Sequence, residues 1–119
     1  MTVFWRDDLK IDKKFYTDFT IELLIVNTDR KFSWWCVCVY TNVDDTIREF
    51  QWDTITQRKQ IWGMTWILVE DMNDIASNKK KWGGNSRPES SFRVFRNFIN
   101  KNQLIDMGFE GVPWTWCNN

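Results

Sequence analysis

Two periodicities alternate along the chain. Runs of strand length, apolar throughout or at every second position, fall near residues 3–6, 20–26, 33–41, 65–70, 104–107 and 114–116. Between them lie two helical patterns. In residues 88–102, Phe92, Phe95, Phe98 and Ile99 form an apolar stripe. Pro88 suits a first helical turn, and Ser86 or Arg87 precedes it as a candidate cap. Residues 45–60 form the second, with Ile47 and Phe50 expected inward and Asp44 or Asp45 capping. Strands interleaved with helices predict an α/β or α+β class. At 119 residues with 43% apolar content and nine tryptophans, the chain can bury one substantial core and is short for two. No linker, repeat or low-complexity block interrupts it, so one domain over residues 1–119 is the simplest organisation.

The run of residues 66–73, WILVEDMN, is the most informative. Trp66, Ile67, Leu68 and Val69 predict a strand covered on both faces, and Glu70, Asp71 and Asn73 follow where it emerges. In layered α/β proteins, strand ends hold reactive groups rigidly at a cleft. A carboxylate there accepts a proton from water or binds a cation, and an amide two residues on donates to an anionic oxygen. The same residue types also cap turns and helix starts, so Asp71 and Asn73 have a purely structural reading as well.

This run, together with KWGGNSRPESSFRVFRNFIN at residues 81–100 and LIDMGFEGVPWTWCNN at residues 104–119, resembles the endonuclease/exonuclease/phosphatase superfamily. WILVEDMN is similar to that superfamily's WLLIGDFN motif, and the chain resembles in particular the endonuclease domains of plant LINE-type (non-LTR) retrotransposons. Two further segments look like the family's earlier strands: Val3-Phe4-Trp5-Arg6-Asp7-Asp8, and Trp35-Cys36-Val37-Cys38-Val39-Tyr40, which ends in a Val-Tyr pair. The resemblance implies part of a four-layer α/β sandwich, with two mainly antiparallel sheets flanked by helices. It also implies a phosphodiesterase that hydrolyses DNA with Mg²⁺, beside a reverse transcriptase domain in the full-length parent.

Residue by residue, the resemblance gives Asp71 the role of the aspartate that orients or deprotonates the attacking water. Asn73 becomes the asparagine that steadies the phosphate, and Tyr40 the active-site tyrosine at a strand end. Thr115 matches a threonine that shapes the nucleic-acid groove. Tyr40 and Thr115 are equally ordinary strand residues. The departures are specific. Glu70 and Met72 stand where the family has Gly and Phe; Glu70 would raise the pKa of Asp71 if the two shared a cleft, but strand alternation separates them. The family's early Asn, its metal-binding Glu and its Ser-Asp-His ending have no match, and the chain contains no histidine. Mg²⁺ relies on carboxylate anchoring, so the metal ligands are unassigned and the expectation is the central portion of such a domain, inactive alone. The alternative is a non-catalytic nucleic-acid-binding or interaction module on the same fold, and a decayed reading frame is a third.

Charge refines this picture. The chain is neutral overall, with 16 basic and 16 acidic residues, yet Lys79, Lys80, Lys81, Arg87, Arg93, Arg96 and Lys101 share a stretch whose only acid is Glu89. Such a patch can neutralise phosphates, with Lys81 beside the Trp82-Gly83-Gly84 turn as the leading backbone contact, or simply solvate a helix face. Cys36 and Cys38 fall on one strand face and predict free thiols, with a bridge to Cys117 as the alternative. No apolar run reaches bilayer-spanning length and no leader pattern opens the sequence, so no membrane association and an intracellular, nuclear-compatible location are expected.

Overall fold

The computed structural model describes residues 1–108, 110–111 and 116–117. They form an α+β arrangement of six strands and two α-helices in two compact units, residues 1–73 and 74–119.

The first unit is a four-stranded mixed sheet in the order β1-β2-β3-β4, built from β1 (Lys10–Tyr16), β2 (Thr20–Asn27), β3 (Phe32–Tyr40) and β4 (Trp66–Asp71). β1 to β3 run antiparallel, whereas β4 pairs parallel to β3 after a crossover through α1 (Asp45–Trp62). A parallel partner needs such a crossover, which places the helix against one sheet face. That face carries Glu22 and Leu24 of β2, Trp35 and Val37 of β3, and Trp66 and Leu68 of β4 in register. The helix meets it through the Trp62 ring, 5.1 Å from Trp66, and through Arg58, whose guanidinium grips Glu22.

Two expectations for the sheet are corrected here. Residues 3–6 form no strand: Met1, Thr2, Val3 and Trp5 line a shallow recess with Tyr16 and Ile21, and the Lys14 ammonium sits 4.5 Å over the Trp5 ring. The strand at this edge is β1, which Lys10, Lys13 and Lys14 conceal from a hydrophobicity reading and which is bulged between Ile11 and Lys13. Lysines and bulges are what protect an exposed sheet edge from pairing with another chain. β4 is not covered on both faces. It forms the other edge of this sheet, with Trp66, Ile67 and Leu68 half-buried and Val69 exposed.

Helix α1 begins as expected, with the Asp44 carboxylate accepting from the Thr46 and Ile47 N–H groups at 3.0 and 3.1 Å. Its inward face is the third correction. Arg48, Trp52, Ile55 and Trp62 are buried, whereas Ile47 is 47% and Phe50 72% exposed.

In the second unit, β5 (Lys81–Trp82) pairs parallel with β6 (Trp116–Cys117), and α2 (Arg93–Asn102) carries the apolar stripe. Phe92, Phe95 and Phe98 are buried as expected. The helix starts later than residue 88. Pro88 has an extended ψ of 146° and precedes a single 3₁₀ turn, Glu89–Phe92; neither Ser86 nor Arg87 caps α2. Residues 104–107 form no strand.

Candidate functional site

The parallel register of β3 and β4 ends with Tyr40 opposite Asp71. In-register neighbours share a sheet face, so phenol and carboxylate emerge side by side where both strands stop. Glu70 pairs with Val39 and lies on the other face, with its Oε2 accepting the Met72 N–H at 2.9 Å. Tyr40 is 56% exposed, so its hydroxyl is presented to solvent.

Beyond the strands the backbone is tied down. Thr41 donates its N–H to the Asp71 carbonyl at 2.9 Å, extending the ladder by one bond. Asn73 returns the bond in two ways: its side-chain Nδ2 donates to the Thr41 carbonyl, and its N–H donates to Asp71 Oδ1 at 3.0 Å. Asn73 has a left-handed φ of 46°, a conformation that Asn tolerates better than other residues with a side chain. Buried Met72 anchors the turn between them. Asp71 therefore performs the turn-capping role with Oδ1, while Oδ2 accepts no hydrogen bond among the described residues.

The neighbouring loop from β3 to α1 is held by residues that sequence reasoning passed over. Arg48, buried in α1, donates to the carbonyls of Val43 at 2.8 Å and Asn42 at 3.3 Å and pairs with Asp45. Asn42 donates its N–H to Gln51 Oε1 at 2.7 Å, and its own Oδ1 accepts the Asp44 N–H at 2.8 Å. An arginine within an apolar helical stripe, six residues after an Asn that follows a strand, was the available signal.

Lys81 and Thr115 are not placed with these three. Lys81 belongs to the second unit, where its ammonium donates to the Asn85 carbonyl; Thr115 lies outside the described residues. The basic stretch is largely engaged. Lys80 pairs with Asp106 at 2.9 Å, Arg87 with Asp74 at 2.7 Å, and Arg96 with Glu89. The Lys80 contact and the Gly108 N–H hold the Asp106 carboxyl below its usual range. Lys79, Arg93 and Lys101 remain exposed with no ion pair among the described residues.

The donor set does not fit Mg²⁺. On the face shared with Tyr40 the strand end supplies one carboxylate, Asp71, with Glu70 on the opposite face, and no group of three or more His, Cys, Asp or Glu side chains gathers among the described residues. A hard cation needs more carboxylate anchoring than that. What this site offers is a carboxylate and an amide held in one hydrogen-bonded turn, with a phenol on the adjacent strand end.

On the sheet face shared with Tyr40 and Asp71, Cys36 and Cys38 are free thiols. Burial, reinforced by the neighbouring Cys38, pushes the Cys36 thiol up to about 12 from an ordinary 9.0. At neutral pH it is almost wholly protonated and a poor nucleophile. In a Cys117→Ser background, iodoacetamide should modify the folded protein far more slowly than the urea-unfolded chain, and the folded rate should still be climbing at pH ~10. A plateau near the ordinary thiol value would show that this burial is not maintained.

No family model and no curated protein matches the chain. Among the described residues, no helix is long and apolar enough to cross a membrane.

Proposed function

We propose that the chain is the central portion of a DNA-acting phosphodiesterase domain of the retrotransposon endonuclease type. As it stands, it binds nucleic acid without completing hydrolysis. The observation that supports this most is the register that sets Tyr40 beside Asp71, with Asn73 folded back onto both strand ends. These are the three residues to which the resemblance assigns the chemistry. In the parent domain, the four-stranded sheet would be one of two sheets in a four-layer sandwich, and a reverse transcriptase domain and a nuclear location would follow from the same reading.

At the strand end, Asp71 Oδ2 is the group that takes a proton from the attacking water. Asn73 uses one amide hydrogen on Thr41 and retains a second for a phosphate oxygen, while the Tyr40 hydroxyl donates from the adjacent strand. The Mg²⁺ implied by the resemblance needs carboxylates that this strand end does not supply, so no step is assigned to it.

That shortfall favours the non-catalytic reading for the isolated chain. In a supercoiled-plasmid nicking assay with Mg²⁺, beside an Asp71→Ala variant, neither protein should cleave. Both should bind the plasmid, with affinity falling steeply as salt rises. Cleavage that depends on Asp71 would overturn the inert reading in favour of a working nuclease. The absence of both cleavage and binding would remove nucleic acid from consideration.

A further inference from the structure

The two edges of the four-stranded sheet are built differently. β1 carries Lys10, Lys13 and Lys14 and is bulged between Ile11 and Lys13, the devices that keep an edge from pairing with another chain. β4 carries none of them. Residues 66–69 are uncharged, contain no proline, and hold an unbroken register against β3.

The hydrogen bonds along β4 show which of its backbone groups are left over. The Trp35 N–H donates to the Thr65 carbonyl at 3.0 Å, and the Thr41 N–H donates to the Asp71 carbonyl at 2.9 Å. Backbone groups of successive strand residues point alternately to one neighbour and the other, so Ile67 and Val69 also bond to β3. The N–H and C=O of Trp66 and Leu68 therefore point away from the sheet. Neither residue's main chain takes a hydrogen bond on that side among the described residues. The side chains match this: Trp66, Ile67 and Leu68 are half-buried and Val69 is 52% exposed, so the open edge is apolar as well as unpaired.

We propose that β4 is a self-association edge, which pairs antiparallel with β4 of a second copy of this chain across a two-fold axis at Ile67. In that register Trp66 exchanges both backbone bonds with Leu68 of the second copy, and Leu68 with its Trp66, so every leftover group of these two residues finds a partner. Ile67 meets its own equivalent and Val69 meets Thr65 of the second copy, in the pairs whose side chains stand closest.

Charge selects the direction and the occupant. Glu70 and Asp71 close β4 at its carboxyl end. Parallel copies would stack these acids on one another, whereas antiparallel copies hold the two acidic ends roughly 20 Å apart, where salt screens their repulsion. β1 of a second copy would offer lysines to the acids, but its bulge breaks the regular ladder that Trp66 and Leu68 require. The strand is thus its own antiparallel complement, and the two-fold pairing closes at the dimer instead of growing into a filament. This inference does not rest on the nucleic-acid reading above.

Sedimentation equilibrium up to about 1 mM protein, joined to native-state hydrogen exchange at low and high concentration, tests it on the full chain, Val69→Lys and Val69→Thr. The full chain should pass reversibly from monomer to dimer. Exchange at the Trp66 and Leu68 amides should slow as concentration rises, while the Ile67 and Val69 amides, already bonded to β3, should not change. Val69→Lys should weaken the dimer roughly 2- to 30-fold by removing two symmetry-related cross-strand contacts, and Val69→Thr should retain it. A chain that stays monomeric throughout would overturn the proposal, as would a dimer indifferent to Val69→Lys or one in which the Trp66 and Leu68 amides still exchange fast. Growth beyond the dimer would set β4 on β1 of the next copy and overturn the two-fold closure.

Discussion

Glu22→Ala should cost about 3–5 kcal/mol of stability, measured as a fall in the urea unfolding midpoint. The carboxylate is fully buried in the middle of β2, at 0% exposure, and takes four hydrogen bonds. Arg58 approaches with two nitrogens, Trp62 Nε1 donates at 2.9 Å, and the Thr20 hydroxyl donates at 3.3 Å. Glu22 holds the Arg58 guanidinium above its ordinary value, and the ordinary basicity of arginine alone keeps the cation charged when that partner is removed. Truncation then leaves a partly buried charge and a buried indole N–H without their shared acceptor. Arg58 and Trp62 both belong to α1, so the same change loosens the helix that follows the loop after Tyr40. The double variant Glu22→Leu with Arg58→Met separates charge from packing: it should recover most of the loss, since both ions disappear together. Equal destabilisation of the single and double variants would show that shape, and not the ion pair, holds helix to sheet.

The central sheet strands were legible because their physics is local. β2 and β3 combine β-branched and aromatic residues over eight and nine positions, and Asp44 signals the start of α1 by its type alone. The face of α1 was not legible. Two stripes run along it: Ile47, Phe50 and Ile61 read as apolar, whereas the other interposes Arg48 among Trp52, Ile55 and Trp62. The sheet selects the second, because Glu22 and Trp66 wait there for Arg58 and Trp62. A buried acid in one strand thus decides which side of a distant helix turns inward, and neither segment shows this alone. β1 was missed for a related reason: its edge position asks for lysines, which a search for apolar alternation discards.

At the candidate site, sequence resemblance named residues and the register supplied their proximity. Tyr40 and Asp71 are separated by a whole helix in the chain, yet the parallel pairing makes them neighbours. The ion pairs of the basic stretch were not legible, because two of its counter-charges, Asp74 and Asp106, lie outside it in sequence. What remained hidden was the bracing of the Asn78 to Arg87 loop, since an Asn side chain pairing with a backbone nine residues away leaves no local pattern.

That loop depends on Phe92, which leads to the second large expected effect. Phe92 is fully buried, with the Arg87 and Arg96 guanidinium groups 5.0 and 5.4 Å from its ring centre. Phe92→Ala should destabilise the fold by about 3–5 kcal/mol through lost burial and an unfilled cavity. It should also release Arg87, and with it the clasp between Asp74, Asn78 and the loop base. Phe92→Leu keeps most of the volume and removes the aromatic face, so its cost should be smaller, about 1–2 kcal/mol from imperfect repacking and the lost cation contacts. Native-state hydrogen exchange at the Arg87 amide, which is bonded to Asn78 Oδ1, reports on the clasp directly. Exchange there should quicken strongly in Phe92→Ala and moderately in Phe92→Leu. If the amide stays protected in both while global stability falls, the ring supports the core alone and the loop is braced by its own hydrogen bonds. If Leu and Ala are equally harmful, the guanidinium-to-ring contacts outweigh side-chain volume at this position.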